Sequence, residues 1–386
     1  MLNRRILRTK ALQCLYAFYK SREANYNIAL DFINERYLPD LNSMNPVDKS
    51  ELDVKKKDSL KTFEVNFKHD SFSKLKDSIL DTEVTAHDAF LDYKNQNRKD
   101  FNHFKSNMLR DVEHIYDLYI WLLMIPDELV NIMEDDPTGK LKISNKRYIE
   151  NQIIGLIRKN KRFQQKVLDR KLSWAEERDL LYYWFKKTIQ KDPDYTTYIK
   201  GEKEKKDDFT HDKKLILHLY KGLIFKNETI HDFMDSEDLN WSEDKHIIRS
   251  MIVKTFKNLE ASDPEIELAT LSNNWEEDKA FFEELFETTV KKDKEFEKLI
   301  ADKSKNWDIE RMAIMDKIIL KMAIGEMVCF PSIPVKVTIN EYIELSKNFS
   351  TPKSKKFVNG LLDVLSVELI QQGVIRKSGR GLIDNK

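Results

Sequence analysis

Glycine and proline are scarce, 9 of each in 386 residues, where average usage is ~7% and ~5%. Sandwiches, barrels and propellers need turn-forming residues every ~8–12 positions. This chain cannot supply them, so an all-β fold is excluded and an all-α protein is expected. Cysteine is scarcer still. Cys14 and Cys329 stand among apolar neighbours, far apart and without paired-ligand spacing, and read as buried thiols in a reducing, cytoplasmic setting. Long apolar runs are missing too. The longest, residues 115–125, is interrupted by Asp117 and stops at Pro126, well short of the ~20 residues of a membrane span. A soluble protein without membrane contact is expected.

Catalytic signatures are equally absent. None of the 8 histidines pairs with another at the three- or four-residue spacing that sets two imidazoles on one metal from one helix. The glycines form neither a dinucleotide-binding nor a phosphate-cradling motif. With 66 carboxylates, choosing any two as an acid–base dyad is arbitrary. The expectation is no enzyme, no metal, no cofactor and no small-molecule substrate.

What is present is charge, unevenly placed. The chain is neutral overall, but residues 1–20 carry +5 with no acid, residues 331–386 carry +4, and residues 21–330 carry −9. Two basic ends that meet in space would form one anion-binding face, for which a phosphate backbone is the usual ligand; the bland alternative is two solvated basic termini. The first 20 residues are also amphipathic like a mitochondrial presequence, although poor in serine.

Residues 40–62 and 201–208 are polar and lack apolar periodicity, which predicts loops. Between them, residues 70–118, 112–134, 144–170 and 173–190 repeat apolar residues at helical spacing, and the stripe Trp174, Leu180, Leu181, Tyr183, Trp184, Phe185 reads as core. A gap-free internal match at an offset of 66 pairs Asp212, Lys213, Leu219, Lys226, Asn240 and Trp241 with Asp278, Lys279, Leu285, Lys292, Asn306 and Trp307. It suggests a degenerate helical duplication. Further on, residues 309–328 read as a helix ended by Pro331 and Pro334. Thr338 and Glu341 read as a capping box that starts the next helix, and residues 355–371 as a last helix with Gly373 as its C-terminal cap.

Two basic constellations stand out. On a wheel for residues 2–20, Leu7, Ala11, Cys14, Leu15 and Phe18 form an inward stripe, with Arg4, Arg5 and Arg8 near one end and Tyr16 further along. Guanidiniums clamp phosphates and an aromatic offers a stacking surface. At the other end of the chain, Lys353, Lys355, Lys356 and Phe357 gather where a loop meets a helix N-terminus, itself a source of partial positive charge.

At these residues the sequence resembles the bacterial NusB family of transcription antitermination factors. Arg4-Arg5-x-x-Arg8-x-x-Ala11-Leu12-Gln13-x-Leu15-Tyr16 is similar to its arginine-rich first helix. Trp307-x-x-Glu310-Arg311 through Asp316-Lys317-x-x-Leu320-Lys321 is similar to its middle helix. Ile333-Pro334-Val335-x-Val337-x-Ile339-Asn340-Glu341 followed by Lys356-Phe357-Val358-Asn359-Gly360-Leu361-Leu362-Asp363 resembles its signature. Ile6 interrupts the arginine run, Gly325 stands where an aromatic is usual, and residues 21–275 have no counterpart in the short form. That long middle resembles the extended, Bacteroidetes-type form.

The resemblance implies NusB-like helical bundles with a large helical region inserted after the first helix. Its segments would be 1–20, the basic first helix; 21–205, the insertion; 206–269, the degenerate repeat; 270–375, the core that binds RNA and the ribosomal protein NusE; and 376–386, a basic tail. It implies a non-enzymatic factor that pairs with NusE on boxA-like single-stranded RNA of ribosomal RNA transcripts, in the RNA polymerase antitermination complex. Carried over by position, Arg4, Arg5, Arg8, Tyr16, Lys353, Lys355, Lys356 and Phe357 fall on the RNA side, and Arg311, Asp316 and Glu326 on the NusE side. The alternatives are a helical scaffold that has lost RNA binding and an RNA-modifying enzyme. The latter requires a nucleophilic cysteine, and residues 21–275 contain none.

Overall fold

The computed structural model describes residues 2–39, 48–71, 80–201, 208–262, 265–303 and 312–383, and among these it is helical, with no β-strand. Three helices open the chain: α1 (Arg4–Arg36), α2 (Lys49–His69) and α3 (Asp81–Glu134). Six short ones follow: α4 (Lys140–Ser144), α5 (Lys146–Ile149), α6 (Gln152–Lys159), α7 (Lys161–Asp169), α8 (Arg178–Lys187) and α9 (Pro193–Lys200). Then come α10 (Asp208–His218), α11 (Glu228–Glu237), α12 (Trp241–Lys257), α13 (Trp275–Lys291), α14 (Asp293–Lys303), α15 (Ile314–Cys329), α16 (Val335–Phe349) and α17 (Ser354–Gln371). They form two compact units, one of residues 4–109 and 279–386, the other of residues 1–3 and 110–278. The segmentation expected from sequence cuts differently: residues 21–109 belong with the C-terminal helices, and no unit boundary falls at 20, 205 or 269.

In the first of these units, α1 buries Leu7, Ala11, Leu15 and Phe18, the inward stripe read from sequence. Cys14 is half-buried rather than buried, its thiol 3.5 Å from the Phe104 carbonyl, and Cys329 is likewise half-buried. The helix does not end near residue 20, because residues 21–36 contain neither glycine nor proline. Residues 40–62 are not all loop either. The Asp48 side chain accepts from the Ser50 and Glu51 backbone N–H groups and starts α2, an N-cap that satisfies donors the helix leaves free. Phe63 anchors α2 in a cluster with Ile33, Tyr37, Phe90 and Tyr93. Its apolar residues are too widely spaced among lysines for periodicity to show. Thr338 lies inside α16, which begins at Val335, so Thr338 and Glu341 are no capping box. Gly373 does cap α17, at φ 69.

In the other unit, residues 144–170 form no single helix. The Asn151 side chain caps α6 and the Asn160 side chain caps α7, offering the backbone a turn where apolar spacing alone suggests continuity. Of the aromatic stripe, Trp174, Leu181, Trp184 and Phe185 are core, and Tyr183 is exposed. Trp174 stacks on Trp121 with ring centroids 4.2 Å apart. The offset of 66 has a helical counterpart: α11 shifted by 66 falls on 294–303, within α14, and α12 shifted by 66 runs to 323, inside α15. Leu215/Phe281, Leu219/Leu285, Ile230/Phe296, Met234/Ile300 and Ile252/Ile318 are buried in both copies. Trp307 lies outside the described residues.

Candidate nucleic-acid interface

All the candidate residues except Arg311, which lies outside the described residues, fall in the unit of residues 4–109 and 279–386. Packing divides the three arginines. Arg5 is exposed and donates through Nε and Nη2 to the two Glu341 carboxylate oxygens of α16, at 2.9 and 2.7 Å. Arg4 is half-exposed, its guanidinium 5.0 Å from the centre of the Phe281 ring, a cation–π distance. Tyr16 is exposed on the same helix.

Arg8 is in the core, 4% exposed, and this corrects its place on an RNA side. Its Nε and Nη2 donate to the two oxygens of Glu326 at 2.7 Å each. Glu326, 0% exposed, also accepts from the Thr338 hydroxyl at 2.9 Å and the Tyr342 hydroxyl at 3.1 Å. Four donors saturate one carboxylate, the condition under which a buried ion pair is tolerated. Burial works against the Arg8 charge, and Glu326 outweighs it, leaving the guanidinium above its usual range. Lacking exposure, Glu326 has no surface to offer a protein partner.

Asp316 is buried too. It accepts from the Ser354 hydroxyl at 2.7 Å, and Ser354 in turn meets the Ser350 and Thr351 hydroxyls at 3.0 and 2.8 Å. That hydrogen-bonded turn presents Lys353, Lys355 and Lys356, all exposed, at the N-terminal end of α17. Phe357 is half-buried. The two carboxylates expected to face a partner are therefore internal anchors on α15: Glu326 holds the arginine helix and Asp316 holds the lysine turn.

On α16, Lys347 is the main cause that holds the Glu344 carboxyl below its usual range, and Arg5 and Lys355 add smaller contributions. Beyond the residues singled out from sequence, α1 is tied down by Asp293, which accepts from Tyr19 at 2.6 Å, Arg22 at 2.9 Å and Lys321 at 2.5 Å. Nothing in the local pattern marks that network, since its members are 274, 271 and 28 positions from Asp293.

Among the described residues no helix is long and apolar enough to cross a membrane. Comparison with known proteins finds the NusB family model over residues 246–366. That segment runs from α12 to α17 and does not include α1. The transcription antitermination protein NusB of Chloroherpeton thalassium is 43% identical over 106 residues, 28% of this chain and 50% of that protein. NusB of Salinibacter ruber is 43% identical over 103 residues, 27% of this chain and 64% of that protein. The chain thus spans half to under two thirds of the length of these relatives. A solved structure of T. maritima NusB matches at 25% identity over 40% of this chain and 90% of its own, with a TM-score of 0.24. Residues 246–366 are a NusB family domain.

Proposed function

We propose that this chain is a non-enzymatic transcription antitermination factor that binds boxA-like single-stranded RNA, together with NusE, in the antitermination complex of RNA polymerase. The observation that supports the reading most is that both basic segments are built against α16, a helix of the residues related to NusB: Arg5 of α1 pairs with Glu341, and α17, which carries the lysine turn at its start, packs on α16. The RNA side is then Arg4, Arg5, Tyr16, Lys353, Lys355 and Lys356, with Phe357 as a half-buried stacking candidate; Arg8 supports it from below. Contact with NusE passes to residues other than Asp316 and Glu326.

The scaffold alternative draws on the same geometry, because Arg8 is internal and Arg5 is already paired with Glu341. Against it, Lys353, Lys355 and Lys356 have no ion-pair partner among the described residues. Fluorescence anisotropy with a boxA-like RNA, with and without NusE, separates the two. Binding that tightens with NusE, with a log–log salt slope of about −3 to −4 for ~5 phosphate contacts, is the expected outcome. A slope near zero, or no binding with NusE present, sinks the reading.

A further inference from the structure

The acidic total of the chain's middle conceals a local reversal of sign. In the unit of residues 1–3 and 110–278, a groove of about 930 Å³ is lined by α10, the segment after it and α12. Among the described residues, its charged lining besides His218 is Lys213, Lys214, Lys221, Lys226 and Arg249 with one acid, Glu260. In a chain with equal numbers of acids and bases, that grouping concentrates one sign in a concave surface, where low-dielectric walls focus the field.

The cations divide by what they already do. The Lys213 ammonium donates to the Lys257 and Leu259 carbonyls at 2.8 and 2.6 Å, offsetting the partial negative charge at the end of α12. Lys214, Lys221, Lys226 and Arg249 have no ion-pair partner among the described residues.

Local backbone builds the wall. Leu219–Leu223 winds as a π-helix, a form that appears mostly as single turns and frequently at functional sites. A side chain at Gly222 would meet the His218 ring at 2.7 Å, so only glycine lets that ring lie there. The imidazole is held in turn by Asp192 at 2.9 Å and Asp194 at 3.4 Å. Phe209, Leu217 and Leu259 supply an apolar surface beside the cations.

We propose that this groove binds the phosphate backbone of single-stranded RNA, as a second site separate from the α1 and α17 surface. Unpaired ammonium groups next to an aromatic and aliphatic wall suit a strand that alternates phosphate with base. An acidic protein is the weaker fit, because lysine is depleted at the centres of protein interfaces. The claim does not rest on the boxA reading, since it concerns different residues in a different unit.

The test uses the full chain and a fluorescein-labelled oligouridylate without a boxA sequence. The groove variant Lys221→Gln/Lys226→Gln/Arg249→Gln should bind it about 10-fold more weakly at low salt, with a log–log salt slope shallower by about 2. The turn variant Lys353→Gln/Lys355→Gln/Lys356→Gln should still show the groove's share of that slope. If the triple groove variant melts below wild type, the exposed single change Arg249→Glu carries the test in its place. Wild-type affinity and slope in the groove variant overturn the proposal, as does displacement of the RNA from the groove by polyglutamate at equal charge concentration, which assigns the site to an acidic protein. The boxA reading fails by a different result, undiminished binding of boxA RNA plus NusE by the turn variant.

Discussion

Arg5 and Arg8 lie three positions apart on one helix and have opposite roles. Arg8 stands three residues before Ala11 and seven before Leu15, on the inward stripe itself. Its register therefore marked it as internal, although its residue type pointed outward. Replacing Arg8 with Met alone strands the Glu326 charge in the core, and chemical denaturation should show a loss of about 3–5 kcal/mol. Adding Glu326→Leu should recover most of it, because the loss comes from the unpaired charge. Arg5→Ala, at an exposed site, should leave neutral stability within ~0.5 kcal/mol and weaken RNA binding. It should also change the acid limb of stability. The Arg5 hydrogen bond is the largest cause holding Glu341 below its usual range, so the folded state keeps this carboxylate ionised to lower pH than the unfolded chain does. The pair's contribution is present at neutral pH and is lost as pH falls from the ordinary carboxylate value through the depressed one. Melting curves of Arg5→Ala should lose that part of the acid sensitivity.

Among the helices, α3 carries its proline inside. Proline ordinarily breaks a helix, since it has no N–H and its ring crowds the carbonyl four residues back, yet the helical spacing read over 112–134 spans Pro126 and α3 runs on to Glu134. The carbonyl that Pro126 leaves without an intrahelical donor is that of Leu122, and the Tyr220 hydroxyl donates to it at 3.0 Å. Trp174 Nε1 donates to the neighbouring Trp121 carbonyl at 2.8 Å. The partners lie 98 and 53 positions away, so no local window of sequence contains the reason the helix continues. Tyr220→Phe keeps the ring and removes the donor. It should cost about 1–3 kcal/mol by leaving a buried carbonyl unsatisfied, and hydrogen exchange should accelerate around residues 122–127. The C-terminal helices were far more legible, because prolines and a C-terminal glycine mark their ends. The Asn-capped α6 and α7 and the lysine-rich α2 were not, since side-chain caps override periodicity there.

At the scale of the molecule, sequence composition was enough to exclude β architecture, and charge asymmetry was enough to raise the question of a two-ended basic face. What it could not show is which middle residues belong with the ends. Phe18 of α1 meets Phe101, Phe104 and Phe286 at about 6 Å, and Arg22 reaches Asp293. Removing residues 21–205 takes Phe101, Phe104 and Arg22 out of the same unit that holds the NusB-like helices and leaves Phe18 with Phe286 alone of these partners. Such a deletion should fail to give a folded protein, as monitored by circular dichroism and by loss of a cooperative melt. A sharp two-state transition in the deletion mutant would show that the C-terminal helices need nothing from residues 21–109.

Asp316 and Glu326, the two anchors on α15, are ten residues apart, a rise of about 15 Å along the helix axis. α15 therefore works as a ruler inside the domain. It sets the spacing between the points at which the arginine helix and the lysine turn are anchored, Arg8 at Glu326 and Ser354 at Asp316, and no surface substitution can shorten it. On the proposed reading, an oligonucleotide too short to span that distance reaches one limb at a time. Affinity should then rise in a step as the RNA is lengthened, and removing the Ser354 hydroxyl should blur the step before it lowers the affinity of the longest ligand.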